Sequence, residues 1–345
     1  MSTPTSAGRP ATGKPRGGDW PKVRLHVVSG KGGTGKTTVA AALALALASG
    51  GGRVLLMEVE GRQGIAQLFD TPPLPYEERL VAVAPDGGEV FALAVDPEAA
   101  LLEYLEMFYN MRRAGTALRK LGAVDFATTI APGVRDVLLT GKAIEAVKRG
   151  ERAGKPTYDA IVMDAPPTGR ITRFLNVTSE VGGLAKVGPI KSQSDSVMGV
   201  ISSPRTAVHL VTLLEEMPVQ ETLDGIEELR DNNLPVGAVI VNMERGPRLT
   251  PEGLREALDG TLDVDEVRAG VEAAELPRKL NVNTVTKVLM TEAAEHAERV
   301  QLEQTERDRL NAAERPIYEL PEMNGGIDLG ALYAMARMLR EQGVA

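Results

Sequence analysis

Gly30-Lys31-Gly32-Gly33-Thr34-Gly35-Lys36-Thr37-Thr38 decides how this chain is read. It matches G-x-x-x-x-G-K-[ST], and it sits where that pattern carries chemistry. The β-branched run Val23–Ser29 precedes it and an Ala/Leu-rich helical stretch follows. Glycines without a Cβ let backbone N–H groups turn inward around an anion, and the helix N-terminus adds partial positive charge. In such a loop Gly30, Gly32, Gly33, Thr34, Gly35 and Thr38 line the phosphates. Lys36 reaches the β- and γ-phosphates of ATP, and the Thr37 hydroxyl binds Mg²⁺. The same glycines also spell the G-x-G-x-x-G of a dinucleotide site, with Glu58 and Glu60 at about the distance of a ribose-binding acid. Lys36-Thr37-Thr38 directly after the last glycine favours the triphosphate.

Outward from the loop, short apolar runs alternate with helical stretches: Arg53–Val59, Val90–Val95, Tyr158–Asp164, Ala207–Leu213 and Val236–Asn242, with a weaker run at Pro316–Leu320. Several are continuously apolar, as in strands buried on both faces of a parallel sheet. The pattern predicts a doubly wound, mostly parallel α/β sheet of the P-loop NTPase class. Residues 22–345 read as a single domain after a disordered tail at 1–21, whose Met1 to Gly18 is rich in Ser, Thr, Pro, Gly and Ala and lacks the apolar core of a secretory signal. About 60 residues separate Val95 from Tyr158, more than one crossover helix needs. A helical insertion is expected at about 97–150, with helices near Glu98–Leu118 and Gly133–Lys148. Residues 176–203 read as irregular with a short helix, Thr284–Ala313 as a long charged helix and Asp328–Glu341 as the last helix. No internal repeat is visible.

Composition narrows the function. The chain has 345 residues and a net charge of −8, which argues against bulk attraction to nucleic acid. Aromatic residues make up only 3%, too few for base-stacking platforms. The chain contains no cysteine, so disulfides, Cys-ligated zinc, iron–sulfur clusters and thiol nucleophiles are excluded, and a cytoplasmic setting fits. The longest apolar run, Val39 to Ala48, falls far short of a membrane span.

Two further features carry a family resemblance. Lys31, just after the first glycine, gives G-K-G-G-x-G-K-T-T, which resembles the deviant Walker A loop of dimeric ATPases. Tyr158-Asp159-Ala160-Ile161-Val162-Met163-Asp164-Ala165-Pro166-Pro167-Thr168-Gly169-Arg170-Ile171-Thr172-Arg173-Phe174-Leu175 resembles the Y-D-x-I-V-x-D-T-A-P-T-G-H-T-L-R-F-L segment of the arsenite-pump (ArsA-like) and tail-anchored-protein-targeting ATPases. The paired ArsA-like ATPases of actinobacteria are nearest in pattern. The resemblance runs from about Val23 to the end and implies a Mg-ATP-driven dimer with a nucleotide switch, either a homodimer or a heterodimer with a second ArsA-like chain. It implies that Lys31 reaches the partner's nucleotide, that Asp164 supports the metal directly or through water, and that Pro166-Pro167-Thr168-Gly169 is a switch loop. It puts Asn242 at the adenine edge, although an asparagine there also suits a turn. Glu60 falls on the aspartate that positions the attacking water, and a glutamate can do that job with longer reach.

The departures are specific. Arg62 has no family counterpart and suits either a phosphate or a surface acid. Arg170 replaces a histidine, and no C-x-x-C is present, so neither a zinc-clamped dimer nor arsenite binding through thiolates is possible. Tyr104, Met107, Phe108, Tyr109 and Met111 in the insertion suit either ordinary core or a groove for a protein client. Leu329, Leu332, Met335, Ala336 and Leu339 form a stripe that favours a packed terminal helix over membrane attachment. His26, His209 and His296 have no ligand-spaced partner. Two other functional classes stay open: a nucleotide-binding regulatory subunit with little turnover, and a partition- or septum-type ATPase.

Overall fold

The computed structural model describes residues 18–109, 132–151, 154, 156–176, 189–274, 277 and 280–344. Its centre is an eight-stranded sheet built from β1 (Leu25–Gly30), β2 (Arg53–Glu58), β3 (Arg79–Val83), β4 (Glu89–Ala94), β5 (Ala160–Asp164), β6 (Thr206–Thr212), β7 (Val236–Glu244) and β8 (Ile317–Pro321). The order is β3-β4-β2-β5-β1-β6-β7-β8. Every neighbouring pair is parallel except β3 with β4. The expected doubly wound α/β fold is therefore present.

β1, β5 and β6 are buried at every position, which explains why their sequences do not alternate. Successive side chains still divide between two cores, as strand geometry requires. Val27, Leu55 and Ile161 face one core, closed by α4 (Pro132–Lys148), α5 (Thr168–Leu175), α6 (Pro189–Ile201) and α7 (Glu216–Asp231). Val28, Leu56 and Val162 face the other, closed by α1 (Lys36–Ala48) and α11 (Leu329–Glu341). Buried alanines at 40, 41, 42, 44, 46 and 48 keep α1 thin enough to lie between the sheet and α11. Four of the five residues of the C-terminal stripe, Leu332, Met335, Ala336 and Leu339, are buried, and Leu329 is exposed. No helix among the described residues is long and apolar enough to cross a membrane.

Several expectations are refined. β3 was not anticipated. The irregular stretch 176–203 contains a 13-residue helix, α6, whose Val197, Val200 and Ile201 are buried. The insertion contains α3 (Pro97–Tyr109) and α4, while residues 110–131, Met111 among them, and the side chains of 104–109 lie outside the described residues. Between β7 and β8 stands a helical arm of α8 (Pro251–Asp259) and α9 (Val264–Ala273) packed on α10 (Val282–Asn311). Within the expected tail, Asp19 and Trp20 are described and anchored. The Asp19 N–H donates to the Gly343 carbonyl, and Trp20 Nε1 donates to the Tyr318 hydroxyl, which in turn donates to Asp19. α2 (Gly64–Leu68) follows β2 and completes the surroundings of the loop after β1.

Candidate functional site

The site forms at the carboxyl ends of β1, β2, β5 and β7, where open α/β sheets hold their ligands. β1 runs into residues 30–35 and α1 starts at Lys36. Two glycines are obligatory here. Gly30 has φ +152, and a Cβ on it would lie 2.2 Å from the Val211 carbonyl oxygen of β6. Gly35 has φ +83, and a Cβ there would lie 2.4 Å from Asn242 Nδ2. The loop also binds itself: the Lys31 carbonyl accepts from the Thr34 hydroxyl at 2.9 Å and from Lys36 Nζ at 3.4 Å.

Asp164 ends β5 in register with Val28 of β1 and Glu58 of β2. Its Oδ2 accepts from the Thr37 hydroxyl at 2.7 Å, so the first turn of α1 and the strand-end carboxylate meet directly. Burial raises the Asp164 pKa to about 6, opposed by the Thr37 hydrogen bond and by Lys36. Burial also lowers the Lys36 pKa, while Asp164 and Glu60 pull it back up. The Ser29 hydroxyl donates to the Pro166 carbonyl at 2.6 Å, tying the end of β1 to the segment after Asp164.

Lys31 does not lie in the phosphate cradle. It pairs with Glu221 of α7 at 2.7 Å, and Glu221 also accepts from the Thr168 hydroxyl at 3.4 Å. Glu60 lies between two arginines, with Arg62 at 3.4 Å and Arg170 at 3.9 Å. Asn242 is buried and its Nδ2 donates to the Thr34 carbonyl at 2.9 Å, bracing the loop from β7. All the residues singled out around the loop thus converge on one end of the sheet.

A family model described as anion-transporting ATPase matches residues 23–204, a span that includes both the loop and the Asp164 segment. The chain belongs to that family. ATPase BagA of Mycobacterium tuberculosis is 54% identical to it over 350 residues, covering all of both chains. ATPase get3 of Schizosaccharomyces pombe is 29% identical over 181 residues, covering 50% of this chain and 51% of its own. ATPase GET3 of Kluyveromyces lactis is 24% identical over 253 residues, covering 64% and 71%. This chain of the anion-transporting ATPase family is an ATPase.

Two residues of this family member carry more than their sequence suggested. Glu58 is fully buried and its carboxylate accepts from the backbone N–H groups of Gln63 and of Ile65 (3.2 Å), fixing the loop that carries Glu60. An acidic residue ending a buried strand beside a phosphate loop was the available signal. Met243, with φ +55, sits at the end of β7 against Gly35, and nothing in the sequence marks it. As donors for a magnesium ion, a hydroxyl and a carboxylate oxygen suit a hard cation that takes one or two protein ligands and fills its shell with phosphate oxygens and water. Thr37 and the buried Asp164 fit that requirement, and a cation beside Asp164 would offset the burial that raises its pKa.

Proposed function

We propose that this ATPase is a Mg-dependent dimeric switch that couples its nucleotide state to a protein client or partner. The contact between Thr37 and Asp164 beside Lys36 is the observation that carries the reading. Thr37 and Asp164 would hold Mg²⁺, which supplies charge neutralisation at the β- and γ-phosphates. Lys36 and the backbone N–H groups of Gly32, Gly33, Thr34, Gly35 and Thr38 bind the phosphates of ATP. Glu60 accepts a hydrogen bond from the attacking water. Thr168 and its neighbours in the segment after Asp164 respond to the γ-phosphate. Asn242 holds the loop in shape at its adenine side.

Lys31 supplies a cation to the nucleotide of a second subunit, a copy of this chain or a related ATPase, and it must leave Glu221 to do so. Because Glu221 also accepts from the Thr168 hydroxyl, the departure of Lys31 changes the charge that faces the segment after Asp164. The client binds at the helical insertion around α3 and α4. With no cysteine in the chain, the ATPase is not driven by arsenite on thiolates. A cytoplasmic location goes with the same reading. The arginines on Glu60 favour one rival, a nucleotide-binding subunit of low turnover.

Mg²⁺-dependent ATP hydrolysis measured against protein concentration, with Lys31→Ala and Lys36→Ala alongside, tests the proposal. Specific activity should rise with concentration, and each variant should lose at least about tenfold in kcat/KM, as expected for loss of one charged phosphate contact. ATP binding without turnover at any concentration would favour the regulatory subunit.

A further inference from the structure

Glu60 is the carboxylate that the proposed reaction needs beside water, and it is engaged elsewhere. Arg62 Nη2 lies 3.4 Å from Oε2, and Arg170 Nη1 lies 3.9 Å from Oε1. The two arginines come from different elements. Arg62 follows β2, and Arg170 stands in the first turn of α5, just after Pro166-Pro167-Thr168-Gly169. Their side chains are 74% and 64% exposed, against 20% for Glu60. Both can therefore swing without disturbing the core.

Charge makes this arrangement incomplete. Two guanidinium groups share one carboxylate, which leaves one positive charge over. The charges of Glu60 and Arg62 are felt by Lys36, and a Cβ on Gly64 would lie 3.2 Å from Thr37 Cγ2, so the loop after β2 approaches the start of α1. Exposed pairs at these distances hold weakly and yield to a stronger anion. A terminal phosphate is such an anion: it carries more charge than a carboxylate, and its oxygens match the planar fork of arginine.

We propose that Arg62 and Arg170 form a clamp for the terminal phosphate of a nucleoside triphosphate, and that their transfer to it releases Glu60 to meet water. The inference rests on reading the loop as an ATP site. Without nucleotide the arginines hold Glu60. With a triphosphate bound they cross to the γ-phosphate, and the freed carboxylate accepts a hydrogen bond from water. A diphosphate lacks the group they grip, so it leaves Glu60 paired. No bond is made or broken in the exchange. Arginine at position 170 thus acts as a γ-phosphate contact, and Arg62 adds a second from the facing loop. The pair sets how well the protein distinguishes ATP from ADP.

The test is calorimetric binding of a non-hydrolysable β,γ-imido ATP analogue and of ADP, both with Mg²⁺, to the full chain. The proteins are the wild type, Arg62→Ala, Arg170→Ala, the double variant and Arg170→Lys. Affinity for the analogue should fall several-fold in each single alanine variant and roughly tenfold to a hundredfold in the double, the loss expected for charge-assisted contacts. ADP affinity should change less than about twofold, within the weak contribution of an exposed pair. Arg170→Lys should recover part of the loss, because it keeps the charge and not the fork. An unchanged analogue-to-ADP ratio in the double variant overturns the clamp while leaving the ATP site standing. Failure of the wild type to bind either nucleotide overturns the reading of the loop itself. Exposure of both arginines makes unfolding an unexpected outcome, and circular dichroism of each variant checks that the fold is kept.

Discussion

His26 and His209 show how much one hydrogen-bond chain can fix. They lie on adjacent central strands, both 1% exposed, with rings stacked 9° from parallel. The Ala238 N–H donates to His209 Nδ1 at 3.1 Å, so the proton of His209 is on Nε2. That nitrogen meets His26 Nδ1 at 3.0 Å, which leaves the His26 proton on its own Nε2. Both rings are thus neutral. Burial pushes the His209 pKa from 6.5 down to about 3 and holds His26 well below its usual value. The unfolded chain takes up these protons near pH 6.5 and the folded chain does not, so stability present above that pH is lost as pH falls toward 3. From pH 7.5 to pH 5, His209 alone should cost about 2 kcal/mol. Urea unfolding of wild type and His209→Gln at both pH values checks this. The variant should lose less on acidification by about that amount, and an equal loss in both would refute it. The sequence placed each histidine in a buried strand correctly, but their pairing depends on which strands are neighbours, and local pattern does not encode that. The sequence offered Glu58 only as a ribose-binding acid, and its bracing role went unread for a similar reason, since its backbone partners belong to a turn that only the folded loop forms.

Elements were legible where burial was two-sided. β1, β2, β4, β5, β6 and β7 announce themselves as short, largely apolar runs, and their observed ends differ from the expected ones by two residues or fewer. β3 did not. It is an antiparallel edge strand with a register shift between Leu80 and Ala82, and both Leu80 and Val83 are exposed. α6 is longer than the short helix expected in 176–203, and among its described side chains Val197, Val200 and Ile201 are the buried ones. The strand–loop–helix arrangement around residues 30–38 was legible because it is local. The pairings of Lys31 with Glu221 and of Glu60 with Arg170 were not, because those partners arrive from α7 and α5. At the same scale, α11 offers a clean contrast. Leu339 is completely buried against α1 and Leu329 is 40% exposed at the other end of the same helix. Leu339→Ala should lose about 2–5 kcal/mol. Leu329→Ala should stay within about 0.5 kcal/mol. Denaturant midpoints at constant slope would register both. Because α1 opens at Lys36, the first variant should also loosen the loop's footing.

The whole molecule carries a charge of −8, yet the arginines around Glu60 gather positive charge at one end of the sheet. A local cationic mouth on an anionic body suits small, highly charged substrates better than a polyanion, which would meet the repulsion of the entire surface. In a mobility-shift assay near 0.15 M salt, duplex DNA should therefore run unretarded with or without ATP. Retardation that weakens steeply with salt would instead support a partition-type ATPase. At this scale the join near the chain ends is also informative. Trp20 donates to Tyr318 on the last strand and sets its ring edge-on to His209, 5.1 Å between centroids. It is the only tryptophan in the sequence. The protein therefore carries its own optical probe. Ultraviolet emission excited at the red edge comes from one indole, lodged where the first described residues, the outermost strand and the histidine pair touch. A single fluorescence trace will follow the parting of those three parts with no label attached.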